Sequence, residues 1–143
     1  MITGSCLCGG VRFEIDRVVG PFELCHCSRC RKISGSAFIA AVGVLRSDFR
    51  YVAGQELAVS YDAPIIDAPP AYRSTFCGRC GSPVPDPTST AGWFEIAAGL
   101  LDGDLRLAPE RHIMVDRKAG WYAITDDLPQ LDKAALLAHR GAT

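Results

Sequence analysis

The 143-residue sequence lacks the features that mark membrane-bound, secreted and nucleic-acid-binding chains. No stretch approaches the ~18 consecutive apolar residues of a membrane span, so no membrane partner is expected. Met1-Ile2-Thr3-Gly4-Ser5 has neither the basic nor the apolar region of a signal peptide, and a reducing cytoplasm is the expected compartment. Charge of one sign is also missing. The formal net charge is −1, and the cations trace no broad basic face, which excludes a nucleic-acid partner. Repeats, low-complexity runs and linkers are absent as well. One domain over residues 1–143 is expected, large enough to bury a core without disulfides.

What the chain does have is cysteine. Seven thiols in a reducing compartment point to metal or catalysis, because their number is odd and a Cys-x-Cys bridge is strained. Three fall within six residues, as Cys25-His26-Cys27-Ser28-Arg29-Cys30, with Arg29, Arg31 and Lys32 around them. The other four come as Cys6-Leu7-Cys8 and Cys77-Gly78-Arg79-Cys80. Zinc prefers four tetrahedral ligands; structural sites supply all four from protein, and catalytic sites leave one for water or substrate. The economical partition joins Cys6, Cys8, Cys77 and Cys80 in a closed site. It leaves Cys25, Cys27 and Cys30 as an open three-sulfur site. A competing partition pairs Cys27/Cys30 with Cys77/Cys80 as a zinc ribbon, but that separation is far longer than the ~15–20 residues usual for the motif.

Hydrophobic periodicity predicts a mainly β fold. Val11, Phe13 and Ile15 alternate with Arg12, Glu14 and Asp16 as in a half-buried strand. Gly20-Pro21 breaks the pattern, and Phe22 to Leu24 form a strand leading into the three-thiol knuckle. Ser28 to Ser34 are expected to form a helical turn closed by Gly35. Phe38 to Leu45 read as a fully buried strand, with further strands at 50–52 and 57–61 separated by a turn at Gly54. Residues 62–71, with Pro64, Pro69 and Pro70, read as a loop. Tyr72 to Phe76 make a strand entering the second knuckle, followed by a proline-rich loop at 82–90. Strands are expected at 93–99, 112–115 and 122–125. Leu131, Ala134, Ala135 and Ala138, at helical spacing, suggest a short terminal helix.

The knuckles, in this order, resemble the family of glutathione-dependent formaldehyde-activating enzymes, whose domain also occurs in centromere protein V. The resemblance rests on Gly4-Ser5-Cys6-Leu7-Cys8-Gly9-Gly10-Val11-Arg12-Phe13 and on residues 25–38, from Cys25-His26-Cys27 to Ser36-Ala37-Phe38. It continues through Phe76-Cys77-Gly78-Arg79-Cys80-Gly81-Ser82 and residues 109–121, from Pro109-Glu110-Arg111-His112 to Gly120-Trp121. Gly120 departs from the pattern, standing where proline would precede Trp121. The resemblance implies an Mss4-like fold of antiparallel sheets with zinc knuckles and only short helices. It also implies two zinc ions, structural at Cys6, Cys8, Cys77 and Cys80 and catalytic at Cys25, Cys27 and Cys30. The activity implied is that of a carbon–sulfur lyase acting on glutathione and formaldehyde.

An open three-thiolate zinc site has a chemical use, since it binds a fourth sulfur as thiolate. Glutathione is the expected partner, and its carboxylates suit guanidinium forks. Arg29, Arg31 and Lys32 are candidates to hold them, and His112 and Trp121 are candidates for other substrate contacts. His26, between two ligands, would be turned away from the metal in an extended segment. Phe38 and Trp93 could wall a pocket, although packing explains Phe38 better. Other electrophiles at the same site, and a non-catalytic zinc module for a protein partner, are the alternatives. A methionine-sulfoxide reductase would be expected to carry two Cys-x-x-Cys pairs, a pattern that Cys6/Cys8 breaks.

Overall fold

The computed structural model describes residues 1–64 and 72–141. The strands are β1 (Ile2–Ser5), β2 (Arg12–Ile15), β3 (Phe22–Cys25), β4 (Ile39–Leu45), β5 (Phe49–Ala53), β6 (Ala58–Asp62), β7 (Arg73–Cys77), β8 (Trp93–Ala97), β9 (Arg111–Ile113) and β10 (Gln130–Leu131). The helices are α1 (Ser28–Ser34) and α2 (Lys133–Gly141). Among the described residues the protein is therefore mainly β, with three sheets and only two short α-helices. The chain forms two compact units, one of residues 1–20 and 43–105, the other of residues 21–42 and 106–143.

In the first unit β1, β2 and β5 form an antiparallel sheet, and β6 and β7 an antiparallel pair. The alternation read in the sequence is realised: Val11, Phe13 and Ile15 are buried, and Arg12 is exposed. Phe13 meets Phe49 with ring centroids 5.5 Å apart, and Phe49 meets Phe94 at 5.3 Å. A second apolar group of Cys6, Val11, Cys77 and Val84 packs against Tyr51, Leu57 and Ala58. Two of its four buried members are thus predicted metal ligands, which ties this part of the core to the first thiol group.

In the second unit β3 pairs antiparallel with β4 and parallel with β9, and β9 pairs parallel with β10. The pairings β1–β2, β2–β5, β3–β4 and β6–β7 are antiparallel as expected, whereas β3–β9 and β9–β10 are parallel. Parallel neighbours need a long crossover, and 85 residues of chain separate the end of β3 from the start of β9. Glu23 of β3 is 2% exposed, and its carboxylate accepts from Arg111 Nε at 2.8 Å and from Arg140 Nη2 at 3.3 Å. Burial of a carboxylate is tolerable here because two guanidiniums satisfy it. These bonds tie α2 and β9 to the strand that leads into the three-thiol knuckle.

Several expected boundaries move. Only the middle of β4 is buried, at Val42 and Val44, so this strand is not fully enclosed. Residues 122–125 are not a strand, because Lys118 Nζ donates to the Ala119 and Tyr122 carbonyls and the Tyr122 N–H donates to Ala119 O at 3.2 Å. Those bonds close the chain into a turn. The strands expected at 93–99 and 112–115 end at Ala97 and Ile113, each followed by a 3₁₀ turn. In α2 the buried side chain is Leu136, not the alanine stripe, and Leu131 lies in β10. Asp132 starts this helix, with its Oδ1 accepting the Ala135 N–H at 2.7 Å and its carbonyl the Leu136 N–H at 2.9 Å. The one leucine facing inward buries more apolar area than an alanine could. Of the expected 62–71 loop, Asp62 closes β6, and residues 65–71, with Pro69 and Pro70, lie outside the described residues.

Gly54 turns the chain with φ +77°, and a Cβ there would strike the Gly10 carbonyl beside the Cys8 knuckle. Gly35 ends α1 at φ +64° with open space around it. Both substitutions to alanine incur the left-handed cost of about 1–2 kcal/mol, but only Gly54→Ala adds a backbone collision. Urea unfolding should show Gly54→Ala clearly the more destabilised of the two, by at least about 2 kcal/mol relative to the parent.

Candidate metal centres

The four sulfurs of Cys6, Cys8, Cys77 and Cys80 lie within 4.8 Å of one another. The Cys6–Cys8 and Cys8–Cys77 Sγ separations are 3.5 and 3.9 Å. A tetrahedral Zn²⁺ with Zn–S bonds of about 2.3 Å sets its sulfurs about 3.8 Å apart, so these distances match the ion's ligand shell. Strand ends deliver the ligands. Cys6 follows β1, where its N–H donates to Val11 O at 3.1 Å and its sulfur accepts the Val11 N–H at 3.3 Å. Cys77 closes β7, and its N–H donates to Ser82 O at 2.8 Å. Ser82 Oγ accepts the Leu7 N–H at 2.9 Å and lies 3.4 Å from Cys80 Sγ, so one hydroxyl brackets both knuckles. That contact, with backbone donors at the Ser82 turn and from Cys8, draws the Cys80 thiol down to about 5.

The second group is Cys25, Cys27 and Cys30, again with all sulfurs within 4.8 Å. Cys25 closes β3, and Cys27 is the N-cap of α1, its sulfur accepting the Cys30 N–H at 3.4 Å. Gly35 ends the helix in the left-handed conformation, its N–H donating to Arg31 O at 2.8 Å, as read from the sequence. Hydrogen bonds from the Cys25 and Cys30 thiols hold Cys27 down to about 2. The same crowding pushes Cys25 up to about 12, chiefly through Cys27, and raises Cys30 through Cys25 and then Cys27. One thiolate is therefore easy to form here and three together are not, unless a cation offsets their repulsion. A divalent, thiolate-seeking ion such as zinc fits both donor sets. The seven thiols divide as four and three, and no disulfide links them.

Arg31 and Lys32 occupy the last turn of α1, where cations also complement the helix dipole. Lys32 is exposed, and Arg29 and Arg31 are half-buried. The Arg31 Nε is buried without a hydrogen-bond partner. Ser34 bonds the Cys30 carbonyl at 2.7 Å and so serves the helix end. Trp121 is 74% exposed and touches Tyr122 edge-on at 6.4 Å. Trp93, partly exposed in the first unit, donates weakly to Gly20 O at 3.4 Å.

Spacing gave no sign of a buried histidine pair. His26 Nε2 lies 2.7 Å from His112 Nδ1, and His112 Nε2 lies 2.9 Å from Asp126 Oδ2. Both rings are fully buried. Phe38 and Tyr122 pack on His26 with centroids at 5.3 and 6.0 Å. Burial, with repulsion from His112 and Lys118, depresses His26 to about 4. Asp126 is held below the usual carboxylate range by its bond to His112. Residues 26 and 112 are 86 positions apart, joined through the β3–β9 register that sets Leu24 beside His112.

Fold and thiols together define a mainly β protein with two clusters of metal-ligand geometry. The chain belongs to the family of glutathione-dependent formaldehyde-activating enzymes, whose family model matches residues 1–117. It is 37% identical over 134 residues to a Halomonas elongata protein provisionally named a glutathione-dependent formaldehyde-activating enzyme, spanning 87% of this chain and 81% of that one. A crystal structure of a Rhodobacter sphaeroides protein is similar, with TM-score 0.52 and 26% identity, over 71% of this chain and 89% of that chain.

The two clusters should respond differently to loss of a sulfur. Cys77 is fully buried in the first unit's core, so Cys77→Ser should unfold or severely destabilise the protein. Cys27→Ser keeps a good helix cap, since serine is a preferred N-cap residue. It should stay folded and drop toward one bound zinc, as read by elemental analysis beside thermal melting. Parent-like melting of both variants would contradict the partition.

Proposed function

We propose that the chain is a cytoplasmic zinc enzyme, a single domain over residues 1–143. It forms or cleaves the S-hydroxymethyl adduct of glutathione and formaldehyde. The observation that carries this reading is the four-plus-three division of the thiols. Family membership and the Halomonas elongata relative's name support the choice of glutathione and formaldehyde. Cys6, Cys8, Cys77 and Cys80 act as structural ligands, and Cys25, Cys27 and Cys30 as the catalytic set with one position left for substrate. The unbridged thiols accord with a reducing cytoplasm.

Zinc held by the three-thiol set supplies the positive charge that favours an incoming thiol as thiolate at neutral pH. In the forward reaction a sulfur–carbon bond forms, the carbonyl π pair moves to oxygen, and the thiol proton ends on that oxygen. The reverse is the carbon–sulfur lyase step. A thiol of lowered pKa is a weaker nucleophile once ionised, so orientation by the protein must supply part of the acceleration. Arg29, Arg31 and Lys32 are the residues we assign to the glutathione carboxylates, with His112 and Trp121 as further candidate contacts. The partnerless Arg31 Nε is the feature that favours Arg31 among the three cations.

The test follows exchange between glutathione plus formaldehyde and their adduct, with the uncatalysed rate subtracted. The zinc-loaded protein should speed approach to an unchanged equilibrium, and Cys30→Ser should fall to background. Glutathione binding without acceleration would favour a different electrophile. Absence of thiol binding, with a fourth protein ligand on the second metal, would favour a non-catalytic zinc module.

A further inference from the structure

A strand at a sheet edge has backbone hydrogen bonds left to make, and β6 (Ala58–Asp62) is such a strand. Among the described residues it pairs only with β7, in an uninterrupted antiparallel register from Ala58↔Cys77 to Asp62↔Arg73. The other side of β7 is covered, since the Val84 N–H donates to Thr75 O at 3.0 Å and the Cys77 N–H to Ser82 O at 2.8 Å. Proline, lysine and β-bulges commonly blunt an open edge, and Ala58–Asp62 has none of them. The one charged residue of the strand, Asp62, is taken by Arg73 Nε at 2.8 Å.

Ladder parity decides which backbone groups face outward. Just beyond the two ends of β6, the Gly78 N–H donates to Leu57 O at 2.8 Å and the Ala63 N–H to Tyr72 O at 2.9 Å. Hydrogen-bonded positions alternate along an antiparallel ladder, so residues 57, 59, 61 and 63 turn their backbone groups toward β7. Ala58, Ser60 and Asp62 turn theirs away from it. The Ala58 N–H is already used, donating to Gln55 O. The outward set is therefore the Ala58 carbonyl, the Ser60 N–H and carbonyl, and the Asp62 N–H and carbonyl.

The partial charges of this edge complement themselves. With two copies antiparallel about a two-fold axis at Ser60, each Ser60 N–H meets the carbonyl of the partner's Ser60. Each Asp62 N–H meets the carbonyl of the partner's Ala58, whose own N–H is not needed. On the solvent face Val59, 46% exposed, lies opposite the partner's Tyr61, and Tyr61, 58% exposed, lies opposite the partner's Val59. Phe76, the β7 neighbour of Val59, extends that apolar row. Other centres fail. An axis at Ala58 needs the N–H that Gln55 holds, and an axis at Asp62 sets two carboxylates face to face.

We propose that β6 is a homodimer interface, pairing with β6 of a second copy of this chain in the register centred on Ser60. The two β6–β7 pairs join into one sheet, an isologous arrangement held chiefly by main-chain hydrogen bonds. β7 ends at Cys77, so the joined sheet runs from the first thiol group of one chain to that of the other. The proposal is independent of the functional reading above.

The test follows the zinc-loaded full chain by sedimentation equilibrium and by amide exchange, both over a wide concentration range. One strand pair is a small interface, so the mass should rise with concentration from one chain toward two. Over the same range, exchange at the Ser60 and Asp62 N–H groups should slow by about tenfold or more. The Val59 and Tyr61 N–H groups, bonded to β7 in either state, should change little. Ser60→Pro removes the central outward donor while sparing the backbone bonds to β7, and should stay monomeric. Val59→Lys puts a lysine on the edge beside the partner's Tyr61 and should raise the dissociation constant about tenfold or more. A chain that is monomeric at every concentration overturns the proposal. Slow Ser60 and Asp62 exchange in that monomer would mean that the chain covers its own edge, and fast exchange that the edge stays open to another strand. A dimer that either variant leaves intact, or whose Ser60 and Asp62 amides stay fast, overturns it as well. If Ser60→Pro fails to fold, Val59→Lys and the exchange pattern of the parent decide.

Discussion

Sulfurs crowded within 4.8 Å of one another repel as they ionise, and in both units the surrounding chain is built to hold them there. In the first unit the crowding is central to packing: Cys6 and Cys77 sit in the apolar cluster with Val11 and Val84. The Val11 N–H aims at the Cys6 sulfur, and Ser82 Oγ lies against Cys80 Sγ, which moderates the negative charge without supplying a full counter-charge. A divalent ion would complete the balance. Its binding is of a size, about 10–16 kcal/mol in small peptides, that rivals the stability of a whole domain. The first thiol group is thus as much a fold determinant as the aromatic cluster of Phe13, Phe49 and Phe94.

The second group is built differently. No residue of α1 is buried, and its cysteines come from a strand end, a helix cap and the first turn of that helix. What stiffens the segment lies behind it. Glu23, clamped by Arg111 and Arg140, fixes β3, and the His26 N–H donates to Ile113 O at 3.0 Å. The histidine pair locks the ring between the two ligands. The buried charge and the buried imidazoles therefore converge on one short piece of chain, as preorganisation of a site requires.

Local signals were legible in the sequence wherever one element decides the matter. Alternation at 11–15 revealed the strand, Gly35 stopped α1, Gly54 turned the chain, and the cysteine spacing gave both clusters. Signals failed where distant residues decide. Nothing near Arg111 or Gln130 reveals that their strands run parallel, because direction is set by crossovers of 85 residues (β3 to β9) and 16 residues (β9 to β10). Residues 122–125 have the apolar content of a strand, yet Lys118 binds the Tyr122 and Ala119 carbonyls on either side of a turn at 120–121. Alanine spacing pointed to the wrong contact in α2, where Leu136 does the packing. The Asp126–His112–His26 chain was hidden for the same reason, since its members meet through strand register and loop closure rather than spacing.

A seven-residue helix is far below the length that is stable alone in water, and α1 gains no support from burial of its own side chains. What remains is its two ends: Cys27 at the start and Gly35 at the finish. The first of these is also a member of the sulfur cluster. Filling the second centre with a cation would therefore be felt as a change in backbone order of residues 28–34. Amide exchange over those roughly two turns would act as a gauge of occupancy.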